Sequence, residues 1–434
     1  MQVRMKYGKK GLPLNFPDDW DVTVIKKKGM PVLQSPEEEV RLAFSRPIGS
    51  GTLAEEAKGG QSVCILICDI TRPVPNGVIL FSLIKELHAA GIHSDKITVL
   101  VATGLHRPNE GKELLELIGN QWVLDTVQVS NHFARNGDDH VYLGTTTRGT
   151  PVKVDRRFVD ADIRIAVGLV EPHFVAGYSG GRKVIAPGIC HHDTITAFHT
   201  ARFFEHPRAD NCILEGNPLH EDQLEIVDMV QGSLSINCVI DETHRLSFVN
   251  YGEILASHED AVRFVRRHVE IPVSKKFNTV ITSSAGYPLD KTYYQTIKGI
   301  VGAKDVLRQG GNLFIVSECS EGMGSPDFVA AQKRLIKLGM KGFLEDILEK
   351  RYADVDEWNT ELQLKTMRIG NVHLFSEGLS ETDVDLTGVH TVRSYKALHE
   401  AIQKSIAVSD DTSIAVIPEG PYDIPVYRPP GKES

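Results

Sequence analysis

The sequence predicts an α/β fold with two α/β domains, each built on a mostly parallel, Rossmann-like sheet. Short apolar runs, typical of strands buried on both faces, alternate with amphipathic stretches typical of helices. A change in composition at residues 268–278 (HVEIPVSKKFN) separates two such alternating regions. We therefore predict a first domain over residues 1–270 and a second over 271–434. The tail after about residue 410 is expected to pack back on the first domain.

The individual elements follow from apolar runs, from periodicity and from the glycines that close helices. In the first domain we predict strands at Ser62–Cys68, Ile97–Ala102 and Ile163–Val170, and helices at Asn76–Ala90, Glu110–Gly119 and Asp193–Phe204. In the second domain we predict strands at Thr279–Ser284, Asn312–Ser317, Met367–Phe375 and Ser413–Pro418, and helices at Lys291–Val301, 326–339 and 343–351.

The composition excludes several classes of protein. The 434 residues contain 48 Lys and Arg against 57 Asp and Glu, a formal charge of −9, and 41% of them are hydrophobic. These values exclude a disordered chain, a collagen repeat and a coiled coil, and the acidity argues against nucleic-acid binding. No apolar run is long enough to cross a membrane, and the first residues lack a secretory signal. The six cysteines form no CxxC pair, so we expect a reducing, cytoplasmic location.

Polar side chains follow three of the predicted strands. Asp69, Ile70, Thr71 and Arg72 come after the first strand, His106 and Arg107 after the second, and Glu171, Pro172 and His173 after the third. Because ligands bind at the carboxyl ends of parallel strands, these groups are expected to converge on one site. Two histidines that titrate near neutral pH would form an acid–base pair there. The alternative is that both are solvated surface residues.

The run from Gly177 to Lys183 (GYSGGRK) is the sharpest local feature. The pair Gly180 and Gly181 would let backbone N–H groups close on an anion, and Lys183 is a potential covalent anchor. The alternative is a tight turn with a solvated Arg–Lys pair. A histidine cluster follows, in which His192 and His199 share a face if one helix spans them. A single imidazole could complete a metal held mainly by a cofactor.

In the second domain, Tyr294, Gln295 and Lys298 lie three or four residues apart on one predicted helix. Their phenol, amide and ammonium groups would recognise a carboxylate and a neighbouring hydroxyl. The alternative is an exposed amphipathic face.

These motifs, in order, resemble those of the nickel-dependent lactate racemase family, which comprises 2-hydroxyacid racemases and epimerases. The resemblance rests on DITRP at 69–73, TGLHR at 103–107, EPHFVAGYSGGRK at 171–183, His199 within TAFHTARFFEHP, NPLHED at 217–222 and YYQTIKG at 293–299. It implies an active site in the cleft between the two domains. It also implies a nickel-pincer nucleotide, the Ni(II)-pyridinium-3,5-bisthiocarboxylate mononucleotide, as cofactor.

The resemblance implies a role for each motif. Lys183 would carry the cofactor covalently, and His199 would be the protein's nickel ligand. His106 and His173 would be the acid–base residues. The nucleotide would be held by Asp69, Ile70, Thr71, Arg72, Gly180 and Gly181. The substrate would be bound by Arg72, Tyr294, Gln295, Lys298 and Trp358.

The implied reaction inverts C2 of a 2-hydroxy acid, lactate or a related acid, by reversible hydride transfer to the bound cofactor through a 2-keto acid. The cofactor would accept the hydride, and the protein would orient the substrate and provide charged groups around it. The implied partners are the substrate and the enzymes that assemble the cofactor, with no nucleic acid and no membrane. Two alternatives stay open, a cofactor-binding protein without turnover and a 2-hydroxyacid oxidoreductase. The absence of GxGxxG and Walker A patterns argues against an ordinary nucleotide enzyme, and a zinc hydrolase has little support.

Overall fold

The computed structural model describes residues 1–58 and 61–429, which fall into two compact units. Unit 1 contains Met1–Lys28, His199–Glu205 and the residues from His268 onward. Unit 2 contains Gly29–Phe198 and His206–Arg267. The sequence predicted one boundary near residue 270, with Met1–Lys28 and His199–Glu205 in the first domain. The contacts of these two segments instead place them in unit 1, together with the residues of the predicted second domain.

Within the described residues the strands are as follows: β1 Gln2–Met5, β2 Leu12–Asn15, β3 Val22–Val24, β4 Val63–Cys68, β5 Ile97–Ala102, β6 Gln128–Asn131, β7 His140–Thr145, β8 Pro151–Asp155, β9 Ile163–Leu169, β10 Pro172–His173, β11 Gly177–Tyr178, β12 Ser233–Ile240, β13 Leu246–Glu253, β14 Glu270–Val273, β15 Phe277–Ser283, β16 Leu307–Val316, β17 Asn371–Phe375, β18 His390–Val392, β19 Ile414–Ile417 and β20 Ile424–Tyr427.

The α-helices of the same residues are as follows: α1 Pro36–Ser45, α2 Leu53–Glu56, α3 Asn76–Ala89, α4 Gly111–Ile118, α5 Gln121–Thr126, α6 Arg156–Val159, α7 Gly181–Ile185, α8 His192–Phe198, α9 Ala201–Phe204, α10 Pro218–Val230, α11 Ile254–Val269, α12 Tyr293–Gly302, α13 Pro326–Leu348, α14 Glu357–Met367, α15 Glu381–Leu386 and α16 Tyr395–Ala407. Single 3₁₀ turns lie at Ser94–Lys96, Gly137–Asp139 and Lys304–Val306.

Unit 2 is built on a six-stranded sheet in the order β13-β12-β9-β4-β5-β6. All neighbours are parallel except β12 and β13. Every residue of β4 is buried, as its unbroken apolar sequence predicts for a central strand covered on both faces. The chain runs from β4 to β5 and β6 on one side, and later from β9 to β12 on the other. The strand order therefore reverses between β4 and β9.

Unit 1 contains a second six-stranded sheet, in the order β18-β17-β16-β15-β19-β3, and all of its neighbours are parallel. The β1–β2 hairpin covers part of one face, and its buried side chains join one apolar cluster with those of the sheet and of α16. These two sheets confirm the predicted α/β class with mostly parallel strands.

Two element predictions are wrong in detail. The helix predicted over Asp193–Phe204 is interrupted, because Thr200 is extended (φ −76°, ψ 157°) and caps a new helix at Ala201. His192 and His199 therefore do not share a helix face. The strand predicted from Met367 begins only at Asn371, since the preceding residues end helix α14 and form a turn. Among the described residues, none of the helices is both long enough and apolar enough to span a membrane.

A buried ion cluster joins β8 to the loop after β6. The Asp155 carboxylate accepts hydrogen bonds from Arg157 Nη2 at 2.6 Å and from His132 Nδ1 at 3.0 Å. The His132 ring is fully buried, and its Nε2 lies 3.1 Å from the carbonyl oxygen of Cys190. Burial by itself raises the pKa of Asp155, but the hydrogen bonds from Arg157 and His132 outweigh it and lower the pKa to about 2.

The Asp155 cluster predicts a pH-dependent stability. A carboxyl whose pKa is lower in the folded than in the unfolded protein stabilises the fold fully above about pH 4 and loses this effect as the pH falls towards 2. The contribution is about 2 kcal/mol at neutral pH. Asparagine resembles the protonated acid. We therefore expect the free energy of unfolding in urea to be lower for Asp155→Asn than for the wild type, with a difference that is largest near pH 7 and shrinks below pH 4. The exposed Asp19→Asn control should show no such trend, and a gap constant with pH would contradict the assignment.

Candidate active site

The reversal of strand order in unit 2 gathers the predicted polar residues. Asp69 directly follows β4, and Glu171 follows β9 after one intervening residue. Ligands of open α/β sheets bind at the carboxyl ends of the strands where the order reverses. The loops after β4 and β9 flank this position, and the loop after β5 carries His106 next to them.

His106 and Asp69 form a hydrogen-bonded pair. His106 Nδ1 lies 2.6 Å from Asp69 Oδ2, and the other oxygen, Oδ1, accepts from Thr71 Oγ1 at 2.6 Å. Burial by itself raises the pKa of Asp69, but hydrogen bonds from His106 and Thr71 and the charge of Arg72 outweigh it, so the net pKa is lowered. An ionised carboxylate only accepts, so Nδ1 carries a hydrogen, and whenever the ring is neutral its lone pair lies on Nε2. A neutral histidine in this tautomer can accept a proton at Nε2, as a general base does.

Lys183 lies in α7 near two arginines. Burial lowers its pKa well below 10.5, and the charges of Arg72 and Arg182 lower it further. Within residues 1–58 and 61–429, Lys183 Nζ has no hydrogen-bond or ion-pair partner. Arg72 is held by an ion pair with Glu171. An amine with a depressed pKa has a larger uncharged, nucleophilic fraction at neutral pH. Lys183 is therefore suited to covalent attachment.

His173 is held by its own loop. The short antiparallel pair β10–β11 places His173 opposite Gly177. The backbone N–H groups of Val175 and Ala176 donate to His173 Nδ1 at 3.3 and 3.1 Å. Phe174 stacks on the ring with centroids 4.6 Å apart. Because Nδ1 accepts, the neutral ring carries its hydrogen on Nε2.

The glycines before α7 are required by packing within the protein. A Cβ on Gly180, whose φ is +128°, would lie 2.4 Å from the His258 ring, and one on Gly181 would lie 2.8 Å from Ser235 Cβ. A Cβ on Gly168 of β9 would likewise lie 2.6 Å from the backbone nitrogen of Gly181. These glycines let α7 lie directly against β9 and β12. Their predicted role as an anion cradle stays a prediction.

In unit 1, His199 lies between two aromatic rings. Its ring centroid is 4.9 Å from that of Trp358 and 5.6 Å from that of Phe204. Helix α14 supplies Trp358, so the structure brings together two predicted residues that are far apart in sequence. Among the described residues, no group of three or more His, Cys, Asp or Glu side chains could hold a metal ion.

Helix α12 carries the three residues predicted to bind a carboxylate. The buried Oε1 of Gln295 has no hydrogen-bond partner within the described part of the chain. Tyr294 instead donates its hydroxyl hydrogen to Asp356 Oδ1 at 3.1 Å. Burial, with the Asp356 charge, raises the pKa of Tyr294. Lys298, one turn further on, is partly buried. The side-chain oxygen of Gln295 is thus available to accept a hydrogen bond, whereas the Tyr294 hydroxyl is already hydrogen-bonded to Asp356 within unit 1.

Sequence reasoning missed Asp356, which precedes α14 and accepts hydrogen bonds from Tyr294 and Ser325. Its φ of +65° is left-handed, a conformation that non-glycine residues rarely adopt. A lone aspartate gives no sequence signal for such a role. The sequence analysis considered Arg182 as half of a solvated Arg–Lys pair, and this alternative is wrong, because Arg182 is a fully buried guanidinium that donates to the carbonyls of Ala176 and Tyr178 at 3.0 and 2.9 Å.

A hydrogen-bonded His–Asp pair and a lysine with a lowered pKa, placed where a parallel sheet reverses its strand order, are typical of an α/β enzyme that acts on a small molecule. Two family models identify the family to which this enzyme belongs. The lactate racemase N-terminal domain matches residues 7–211, and the lactate racemase C-terminal domain matches residues 273–424. The chain belongs to the lactate racemase family and is an isomerase of the racemase type. Membership of this family implies a cofactor.

Two curated relatives cover most of the chain. The lactate racemase of Thermoanaerobacterium thermosaccharolyticum is 29% identical over 96% of this chain and 97% of its own length. That of Lactiplantibacillus plantarum is 30% identical over 89% of this chain and 90% of its own. The T. thermosaccharolyticum lactate racemase apoprotein structure superposes with a TM-score of 0.88 at 28% identity, covering 98% of this chain and all of that one. A Thermotoga maritima protein, at 17% identity and a TM-score of 0.67, shares the fold over 93% of this chain and all of its own.

Proposed function

We propose that this chain interconverts the enantiomers of a 2-hydroxy acid, lactate or a related small acid. One observation carries the proposal. The Asp69–His106 pair, with 2.6 Å between Oδ2 and Nδ1, stands at the strand-order reversal of the same unit in which Lys183 has a lowered pKa. This arrangement combines a base with an amine able to hold a cofactor. The names of the relatives suggest the substrate class.

The histidines would move the protons of the reaction. His106 Nε2 would take the hydrogen of the substrate hydroxyl, and Asp69 would stabilise the imidazolium that results. His173 would donate a hydrogen bond from Nε2 to the substrate oxygen. The proton that His106 takes would return to this oxygen at the end of the reaction, so the reaction has no net proton or redox change.

The substrate carboxylate would be recognised by charged and amide groups. Lys298 and Arg72 would supply positive charge, and the Gln295 amide would add a hydrogen bond. Tyr294 and Trp358 would shape the substrate side of α12 and α14. In this role Tyr294 would act through its ring, since its hydroxyl is bonded to Asp356.

The residues present fit a nickel-pincer nucleotide. The amine of Lys183 suits the covalent link, and His199 suits a single imidazole ligand for a metal that the cofactor itself holds. Asp69, Ile70, Thr71, Arg72, Gly180 and Gly181 would hold the nucleotide. When bound, this cofactor would supply the hydride acceptor for C2 of the substrate. The chain would then depend on the enzymes that assemble it. The six free cysteines favour a reducing compartment such as the cytoplasm.

The test is to express the protein beside the cofactor-assembling enzymes and to combine three measurements. We expect intact-protein mass spectrometry to find a nucleotide-sized adduct on Lys183, metal analysis to find about one nickel per chain, and chiral analysis to find racemisation within a panel of 2-hydroxy acids. An adduct without turnover would favour a cofactor-binding protein. Accumulation of a 2-keto acid at the expense of an added oxidant would favour an oxidoreductase.

A further inference from the structure

The segment NPLHED at 217–222 begins helix α10 and has no part in the proposed reaction. Its first residue, Asn217, is fully buried and uses all of its hydrogen-bonding capacity. Oδ1 accepts from the backbone N–H groups of Leu219 and His220 at 3.0 and 3.3 Å, which caps α10. Nδ2 donates to the carbonyl oxygens of Val175 and Ile213 at 2.7 and 2.9 Å. With two donors on one side and two carbonyls on the other, the amide fits in one orientation only.

The contact with Val175 reaches His173 through a single peptide group. The carbonyl of Val175 and the N–H of Ala176 belong to the same planar peptide and point in opposite directions. Asn217 binds the carbonyl, and the N–H donates to His173 Nδ1 at 3.1 Å. The orientation of this peptide therefore decides whether Nδ1 meets the shorter of its two N–H donors or a carbonyl oxygen, while the Val175 N–H of the preceding peptide donates at 3.3 Å in addition.

A second contact from the same turn of α10 supports the loop. His220 Nδ1 accepts from Arg182 Nε at 2.8 Å, and Arg182 Nη2 donates to the carbonyl of Ala176 at 3.0 Å. Burial and the Arg182 charge lower the pKa of His220 to about 3, so His220 stays a neutral acceptor. The peptides on both sides of Ala176 are thus held from α10, one directly and one through Arg182.

We propose that Asn217 is a positioning residue that fixes His173 in the tautomer with its hydrogen on Nε2. His106 is held in the opposite tautomer by Asp69, so when both rings are neutral one presents a lone pair at Nε2 and the other presents an N–H. His106 is then the ring ready to accept a proton, and His173 is the ring ready to donate to a ligand oxygen. The catalytic meaning of this difference rests on the proposed function, whereas the tautomer does not.

The test replaces Asn217 by aspartate. Aspartate is also a good N-cap, so it keeps the two bonds to α10, but it loses both donors and places a carboxylate against two carbonyls. The matched control is Asn120→Asp, the same change at the cap of α5, where Asn120 Oδ1 accepts from the Trp122 N–H at 3.0 Å. If Asn217→Asp does not fold, Asn217→Ser is tested in its place, because serine also provides an oxygen that can cap α10.

The primary measurement is the ring ¹⁵N spectrum of histidine-labelled protein without cofactor, with His173 assigned by its loss in His173→Gln. We expect the Nε2–H tautomer in the wild type and in Asn120→Asp, and a mixture with the Nδ1–H tautomer in Asn217→Asp. An unchanged His173 tautomer in folded Asn217→Asp, or an Nδ1–H ring in the wild type, would overturn the proposal.

The second measurement is turnover of the loaded enzyme. Loss of an orienting partner typically lowers activity about 10- to 100-fold. We expect kcat of Asn217→Asp to fall by this factor with KM nearly unchanged. A wild-type protein that shows the expected tautomer but racemises no 2-hydroxy acid would refute the proposed function and still support the positioning of His173 by Asn217.

Discussion

Lys183→Arg is expected to abolish the covalent adduct and to lower racemisation at least about 10³-fold, since enzymes accelerate reactions by roughly 10⁶-fold or more and this change removes the anchor of the reactive group. Burial, with the charges of Arg72 and Arg182, lowers the pKa of Lys183, which increases the uncharged fraction of its amine. An arginine guanidinium stays protonated in proteins and offers no such nucleophile. The mass of the intact protein after co-expression with the assembly enzymes measures the effect directly.

The matched control is Lys96→Arg, the same change at an exposed lysine, which should keep the adduct and full turnover. An adduct of unchanged mass on Lys183→Arg, mapping to another residue, would show that Lys183 is not the anchor. Racemisation at the wild-type rate in that variant would reject covalent attachment as a requirement.

His106→Asn is expected to lower kcat about 10²- to 10⁴-fold, the usual contribution of a positioned acid–base group, while the adduct on Lys183 remains. The same change at His173 should have an effect of the same order. The exposed His93→Asn serves as the control and should retain full turnover. Wild-type turnover in His106→Asn would reject its role as a base.

Asp69→Asn separates two roles of the carboxylate. An asparagine amide can donate to His106 Nδ1, which would move the ring hydrogen to Nε2 and remove the basic lone pair. We expect kcat to fall by the same factor as in His106→Asn, with the adduct intact. Loss of the adduct would instead assign Asp69 chiefly to holding the nucleotide.

The sequence predicted the sheets and the polar residues at the ends of their strands because both follow from short-range patterns. An apolar run that ends in Asp69 predicts a buried strand and a polar strand end at once, and parallel strands bring such ends together. The helix over residues 193–204 was wrong because periodicity alone did not reveal the extended residue Thr200, at which His199 leaves the helix.

The partners of the site residues were beyond the reach of the sequence. Asp69 binds a histidine 37 residues away, and Asn217 reaches Val175 over 42 residues. Such pairs depend on how loops of different strands meet, which no local pattern encodes. The glycines before α7 show the reverse case. They suggested a cradle for a ligand, and the structure gives them a packing role against His258 and Ser235.

The parallel pairing of β3 with β19 bears on how the protein is made. Val22, near the start of the sequence, aligns with Ile414, and the β1–β2 hairpin shares its apolar cluster with α16. During synthesis β3 therefore stays unpaired until the residues around Ile414 have emerged, whereas the sheet of unit 2 is complete once Glu253 has emerged. Pairings this distant in sequence fold slowly and leave strand edges exposed in the meantime. Unit 1 is thus the part of the newborn chain that would most need protection by a chaperone.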